Sequence, residues 1–341
     1  MTIDLRSDTV TKPTAQMKEA MWEAEVGDDV LGDDPTVNAL QEKTARLFGM
    51  EDALFCASGT LTNQLAIRAH TQPGSDVICD KNSHIYLYEG GGIMLNSLSS
   101  VKLLDGNRGR ITAQQISDAI SPEDDIHSTV TRLISLENTM NKGGGAYYDI
   151  NEIKSIRQIC WDRKIPLHLD GARLFNALVE TGETPRQYGQ LFDSISICLS
   201  KGLGCPVGSL LLGSRQVITK ARRFRKVMGG GWRQAGFLAA AGMYALQNNI
   251  TRLEEDHKRA KELASVLQKL PWVEKVEPVE TNILIFSVKL PLNDKIVIEK
   301  LKQKNIFISS MGHGKLRIVT HLDYKQVMHT YVLEVLSKME F

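Results

Sequence analysis

Several kinds of segment are missing from this sequence of 341 residues. No stretch approaches about 18 uninterrupted apolar residues, so no membrane-spanning helix is expected. The opening MTIDLRSDTVTKP carries charges within its first six residues and lacks an apolar core, so a secretory leader is not expected either. Cysteine is scarce, and Cys56, Cys79, Cys160, Cys198 and Cys205 form no CxxC pair. That argues against a disulfide framework or zinc site and for a reducing, cytoplasmic compartment. An excess of one charge is also missing: 41 basic against 40 acidic residues leave +1. Such a balance gives no field for nucleic acid unless the charge gathers on one face. The basic run KARRFRK (220–226) reads as a solvated helix face. No repeat or low-complexity tract is visible. With 42% hydrophobic and 24% charged residues, the composition is that of a globular chain with a large core, not of a disordered one.

What is present is alternation. After a helix over 13–26, a turn-rich loop GDDVLGDDP and a helix from Thr36 to about Phe48, short apolar runs alternate with helical patterns. ALFCAS, DVICD, VKLLD, TRLISLE, IPLHLD, DSISICLS and VGSLLLG read as strands. This predicts an α/β fold with a large, mostly parallel, helix-covered sheet. Near residue 250 the texture changes to two long helices (232–248 and 251–270) and a shorter β-α-β-α run. A large domain over 1–250 and a small C-terminal α/β domain over 251–341 are expected, with a site at their junction.

Asp170 and Lys201 each end a predicted strand, and open α/β sheets bind ligands beyond the carboxyl ends of strands. A lysine between Ser200 and Gly202 has room for a bulky group on its nitrogen. An acid on a neighbouring strand end suits pyridoxal phosphate, whose ring nitrogen it would pair; taken separately, the two read equally well as a surface lysine and a capping aspartate. Ser58-Gly59-Thr60 lies between a strand and a helix, where amides and hydroxyls bind phosphate, although such turns are also plain helix caps. GxxxxGK[ST] and HExxH are absent. His84 sits in a loop where its ring could cover a planar cofactor. His127 precedes a strand and by itself reads as a surface residue; His168, between leucines, reads as a satisfied sheet residue. Arg173 follows Asp170 by three residues. Arg317 lies on a small-domain strand, where a planar fork suits a carboxylate, and Arg233 follows a Gly-Gly-Gly-Trp run.

In order and spacing, DLRSDTVTKP, VGDDVLGDDPTVNALQ, SHIYLYEGGG, RLISLENT, LHLDGARLFNA, SICLSKGLGCPVGSLL, GGGWRQAG and LRIVTHLD resemble the low-specificity L-threonine aldolases over almost the whole chain. These are pyridoxal-phosphate enzymes of the aspartate-aminotransferase fold. The resemblance implies retro-aldol cleavage of threonine, allo-threonine and related β-hydroxy-α-amino acids to glycine and an aldehyde. It assigns the Schiff base to Lys201, the ring-nitrogen partner to Asp170 and ring stacking to His84. Phosphate contacts fall to Ser58, Gly59 and Thr60, with Arg233 reaching in from a neighbouring subunit of a homotetramer. Ser7, Arg173 and Arg317 receive the substrate carboxylate, Arg173 also standing among the cofactor contacts. His127 matches a second active-site histidine, leaving His84 and His127 as candidate bases. The chain departs from the family at Met140 and over 143–148, where an imidazole and a proline-containing stretch are common; a change of local polarity is expected there. A β-eliminating or aminotransferase-type enzyme is the alternative chemistry, and a non-catalytic interaction protein the alternative class.

Overall fold

The computed structural model describes residues 2–122 and 124–341. The chain opens with a two-residue strand, β1 (Ile3–Asp4). All seven apolar runs then form strands: β2 (Asp52–Cys56), β3 (Ser75–Asp80), β4 (Ser100–Leu104), β5 (Val130–Glu137), β6 (Leu167–Asp170), β7 (Ser194–Cys198) and β8 (Ser209–Gly213). They build one sheet in the order β2-β8-β7-β6-β5-β3-β4. Pairing is parallel from β7 through β4, whereas β8 runs antiparallel to both its neighbours. Two reversals restore direction, so β2 points the same way as β7. The carboxyl ends of β2, β3, β5, β6 and β7 therefore share one edge. β3, β7 and β8 are buried along their whole length, as expected for a sheet with helices on both faces.

The smaller lobe carries β9 (Val273–Val276), β10 (Ile283–Val288), β11 (Ile306–Phe307), β12 (Ser309–Gly312) and β13 (Lys315–Val319). Four of these form an antiparallel sheet in the order β12-β13-β10-β9. β11 instead pairs in parallel with β1, and Ile3 and Leu5 join the small-lobe core with Leu284, Phe286 and Leu316. The N-terminal segment thus crosses the expected division at residue 250. It starts in the small lobe and then runs to the site, where Thr11 Oγ1 donates to the carbonyl of Lys201 at 3.0 Å.

Local chemistry explains most boundaries. In the helix Pro35–Phe48, Asp34 caps Val37 N–H at 2.9 Å with proline in the first turn. Val37, Leu40, Gln41, Thr44, Ala45 and Phe48 form its buried stripe. The helix predicted over 13–26 ends at Trp22. Beyond it the chain turns back at Gly27, where any Cβ would collide with the Asp33 carbonyl, and Asp34 Oδ2 accepts the amides of Gly27 (3.2 Å) and Gly236 (2.8 Å). The basic run also differs from expectation. It lies on the helix Arg215–Val227, but Arg225 is buried, pairing with Asp29 at 2.6 Å and donating to the Phe55 carbonyl at 2.6 Å. Removing one partner of such a pair costs about 3–5 kcal/mol. Among the described residues no helix is long and apolar enough to cross a membrane.

Candidate functional site

A crevice of about 480 Å³ opens where the shared strand edge meets the small lobe, and Ser7, His84, Arg173, Lys201 and Arg317 all line it. Each arrives by a different route. Lys201 sits in the turn after β7, partly exposed. Arg173 follows β6, His84 opens the short helix after β3, and Arg317 projects from β13. Asp170, at the end of β6, lies beneath His84. Ligand atoms of His84, Glu89 and Asp170 are within 4.8 Å of one another.

That cluster would suit a metal ion by distance alone, but its oxygens are already engaged. Asn63 donates from one amide nitrogen to Glu89 Oε1 and to Asp170 Oδ2, both at 2.9 Å. Gln64 donates to Glu89 Oε2 at 2.6 Å, and Asp170 Oδ1 accepts the Ala172 amide at 3.1 Å. His84 Nδ1 lies 3.0 Å from Glu89 Oε1, which leaves Nε2 as the uncommitted nitrogen of a ring that lines the crevice. Burial pushes the His84 imidazole down, but the Glu89 hydrogen bond and the charges of Asp170 and Glu89 outweigh it, so its pKa is raised. His168 is the satisfied sheet residue expected: its ring contacts Ser194 Oγ at 2.8 Å and Asn63 Oδ1 at 3.2 Å. Burial holds it near pKa 3, neutral at physiological pH.

The residues fit pyridoxal phosphate. Asp170 retains acceptor capacity next to the ring of His84, and Lys201 stands across the same crevice. At the shared edge, Ser58 caps the helix Gly59–His70 through Leu61 N–H at 3.2 Å, so its own hydroxyl proton remains free to donate. The first amides of that helix lack intrahelical partners and carry the positive end of its dipole. A Cβ on Gly59 would sit 2.5 Å from Cys198 Sγ; glycine lets this helix start press against the end of β7.

The carboxylate end is built from arginines in unequal states. Arg173 Nε and Nη2 both donate to buried Asp8, at 2.8 Å each, which fixes the guanidinium and balances its charge while its Nη1 donors stay available to an anion in the crevice. Arg317 has no acidic partner among the described residues. Its Nη1 donates to Asn141 Oδ1 at 2.9 Å, its Nη2 to the Arg6 carbonyl at 3.0 Å, and its buried Nε meets no acceptor. Burial and the like charge of Arg173 lower its pKa, the electrostatic signature of a cation awaiting an anion.

Asp8 yields a stability prediction. Burial pushes its carboxyl up, but the Arg173 charge and hydrogen bonds, with Lys201 and Asn282, hold it down at about 2 against an ordinary 3.8. A depressed carboxylate stabilises the fold fully above about pH 4 and loses that contribution as pH falls through about 2, here roughly 2–3 kcal/mol. The stability gap between wild type and Asp8→Asn in urea unfolding should therefore narrow between pH 5 and pH 2. A gap independent of pH would assign the ion pair no such role.

Two expected residues stand apart. His127 is exposed in the loop before β5, its N–H bonded to Asp125. The site is at the other end of β5, about 23 Å along an eight-residue strand. Within one chain, therefore, His127 does not stand beside the substrate. Arg233 points outward, 60% exposed and paired with Asp28 at 2.7 Å. Met140 fills an apolar position. It is fully buried, packs over Gly109 and bridges to Ala146, away from the crevice; the next residue, Asn141, is the one that reaches Arg317.

Sequence reasoning missed Asp8, Asn63, Glu89 and Glu137. Glu137 ends β5 directly beside Asp170, a position the strand-end rule could have flagged. Its Oε2 accepts the His84 amide at 2.7 Å and its Oε1 the Asn141 amide at 2.8 Å. Burial, then the charge of Asp170, raises its pKa to about 7.

Residues 4–291 match the beta-eliminating lyase family. The chain is 45% identical to a low specificity L-threonine aldolase of Escherichia coli (strain K12), with 94% of each chain covered. It is 42% identical to a probable low-specificity L-threonine aldolase 2 of Arabidopsis thaliana, over 99% of this chain and 97% of that protein. In three dimensions it is similar to a threonine aldolase of Leishmania major, with a TM-score of 0.85, 21% identity and coverage of 98% and 99%; that likeness bears on the fold.

Proposed function

The chain belongs to the low-specificity L-threonine aldolase family, and from that premise we propose that it cleaves threonine, allo-threonine and related β-hydroxy-α-amino acids to glycine and an aldehyde. The observation that carries this reading is the crevice itself, which brings a carboxylate-free arginine (Arg317) together with Lys201 and an imidazole (His84). Lys201 would hold pyridoxal phosphate through Nζ, Asp170 would face the ring nitrogen and His84 would cover the ring. Ser58, Gly59 and Thr60 would take the phosphate. When bound, the cofactor supplies an electron sink for the pair released from the Cα–Cβ bond.

The remaining work falls to the chain's own groups. Arg317 grips the α-carboxylate in a fork, with Ser7 and the Nη1 donors of Arg173 beside it, while Asp8 holds Arg173 in place. His84 Nε2 is the base for the β-hydroxyl proton, and Glu89 fixes the tautomer and stabilises the charge the ring gains. His127 acts in this step only where another copy of the chain supplies it. Incubating the reconstituted enzyme with threonine tests the reading: glycine and acetaldehyde should appear in equal amounts. Ammonia with a 2-oxo acid would assign the site to β-elimination instead.

The exposed position of Arg233 supports a site shared between subunits of a homotetramer, with Arg233 contacting the neighbour's phosphate. Mixing inactive Lys201→Ala and Arg233→Ala chains should then restore part of the activity in hybrid oligomers. Hybrids that form but stay inactive would end that idea. The five buried, unbridged cysteines support a reducing, cytoplasmic setting.

A further inference from the structure

The charge lining the crevice exceeds what a threonine-sized substrate uses. Among the described residues no aspartate or glutamate lines it, while Arg173, Lys201, Arg317 and Lys142 all do. Three of these cations are already accounted for. Arg173 is neutralised by Asp8, Lys201 is committed to the cofactor, and Arg317 is matched to the α-carboxylate. Lys142 is left over. It is half-buried on the rim, with no carboxylate within ion-pair distance among the described residues.

The position of Lys142 is defined by its loop. Met140 N–H donates to the Ala146 carbonyl and Gly145 N–H to the Met140 carbonyl, both at 2.9 Å, closing a tight turn around residues 141–144. Asn141 is tied at its amide to Glu137 and at its side chain to Arg317. Lys142 Nζ therefore stands over the Tyr88 ring, 5.9 Å from its centroid, and Tyr88 lies 5.5 Å from the His84 ring. Lys142, Tyr88 and His84 thus follow one another along the crevice lining. A substrate held at Arg317 by its α-carboxylate, with its hydroxyl at His84, sends its β-substituent toward Tyr88 and Lys142. A cation–π contact at that separation is at its outer limit and leaves the ammonium free to turn to an anion.

Resting on the aldolase reading, we propose that Lys142 selects β-hydroxy-α-amino acids whose β-substituent is itself an anion, the smallest being a carboxylate, as in 3-hydroxyaspartate. Its cleavage balances as the parent reaction does. The Cα–Cβ bond breaks, the hydroxyl loses its proton and Cβ becomes the aldehyde carbon of glyoxylate, while Cα takes a proton and leaves as glycine.

The test is the ratio of kcat/KM for 3-hydroxyaspartate to that for threonine, in the reconstituted wild type, Lys142→Met and Lys142→Arg. Methionine keeps the length of the side chain and removes the charge. The ratio should fall by about fivefold in Lys142→Met, the upper range for a partly exposed ion pair, with threonine cleavage unchanged, and should persist in Lys142→Arg. It should also shrink with added salt in the wild type. An unchanged ratio in Lys142→Met, or equal loss on both substrates, overturns the proposal. Threonine cleavage without any 3-hydroxyaspartate cleavage overturns it while leaving the aldolase reading intact; no aldehyde from either substrate overturns both.

Discussion

Lys201→Ala is expected to lose at least about 10³-fold in threonine turnover, the scale on which removing a covalent nucleophile acts. It should also lose the visible absorption and borohydride fixation of cofactor attached to protein. The fold should survive, because what Lys201 gives the structure is its backbone: its carbonyl accepts from Thr11 Oγ1 at 3.0 Å and from Gly204 N–H at 2.8 Å. Both bonds remain with alanine in place. Near-ultraviolet circular dichroism checks that point independently of activity. A variant that keeps its fold, binds cofactor covalently and still turns over threonine within tenfold of wild type would remove Lys201 from the reaction.

How much of this site was legible before the structure depended on whether the signal was local. The seven strands of the large sheet stand out because each is a short apolar run bounded by turns, and their carboxyl ends nominate Asp170 and Lys201. β1 could not be read that way: two residues show no periodicity, and its partner Ile306–Phe307 lies some 300 residues away. Asn63, Glu89 and Asp8 carry their meaning only through contacts between distant segments, Asp8 with Arg173 and Asn63 with both Glu89 and Asp170. In the sequence they look like ordinary polar positions. The two histidines differ in a way the sequence does contain. His84 follows a strand and His127 precedes one, so a parallel sheet sends them to opposite edges. Family resemblance pairs the two, whereas the topology of a single chain separates them. Arg225 illustrates the reverse error: a basic run invites a solvated reading, yet helical periodicity turns one of its members inward to Asp29.

Arg317→Ala should raise KM for threonine far more than it lowers kcat, with cofactor retention unchanged. Arg317 projects from β13 of the small lobe, whereas Asp170 and Ser58 belong to the edge of the large sheet, so its loss leaves the groups nominated for the ring and phosphate intact. A buried charge-assisted contact to a carboxylate contributes about 2–4 kcal/mol, much of it the cost of leaving the anion unpaired, so kcat/KM should fall by roughly 30- to 1,000-fold. Arg173 should compensate only in part: its Nη1 donors stay available, but Asp8 already balances its charge. Lysine should rescue poorly, because an ammonium cannot reproduce the planar fork that reaches Asn141, the Arg6 carbonyl and the substrate together. Asn141→Ala offers a graded comparison. It removes the 2.9 Å anchor on Nη1 but leaves the guanidinium, and should raise KM by a smaller factor with kcat nearly constant. Equal losses in kcat and kcat/KM for Arg317→Ala, with KM unmoved, would mean that this arginine acts in the bond-breaking step and does not hold the ground-state carboxylate.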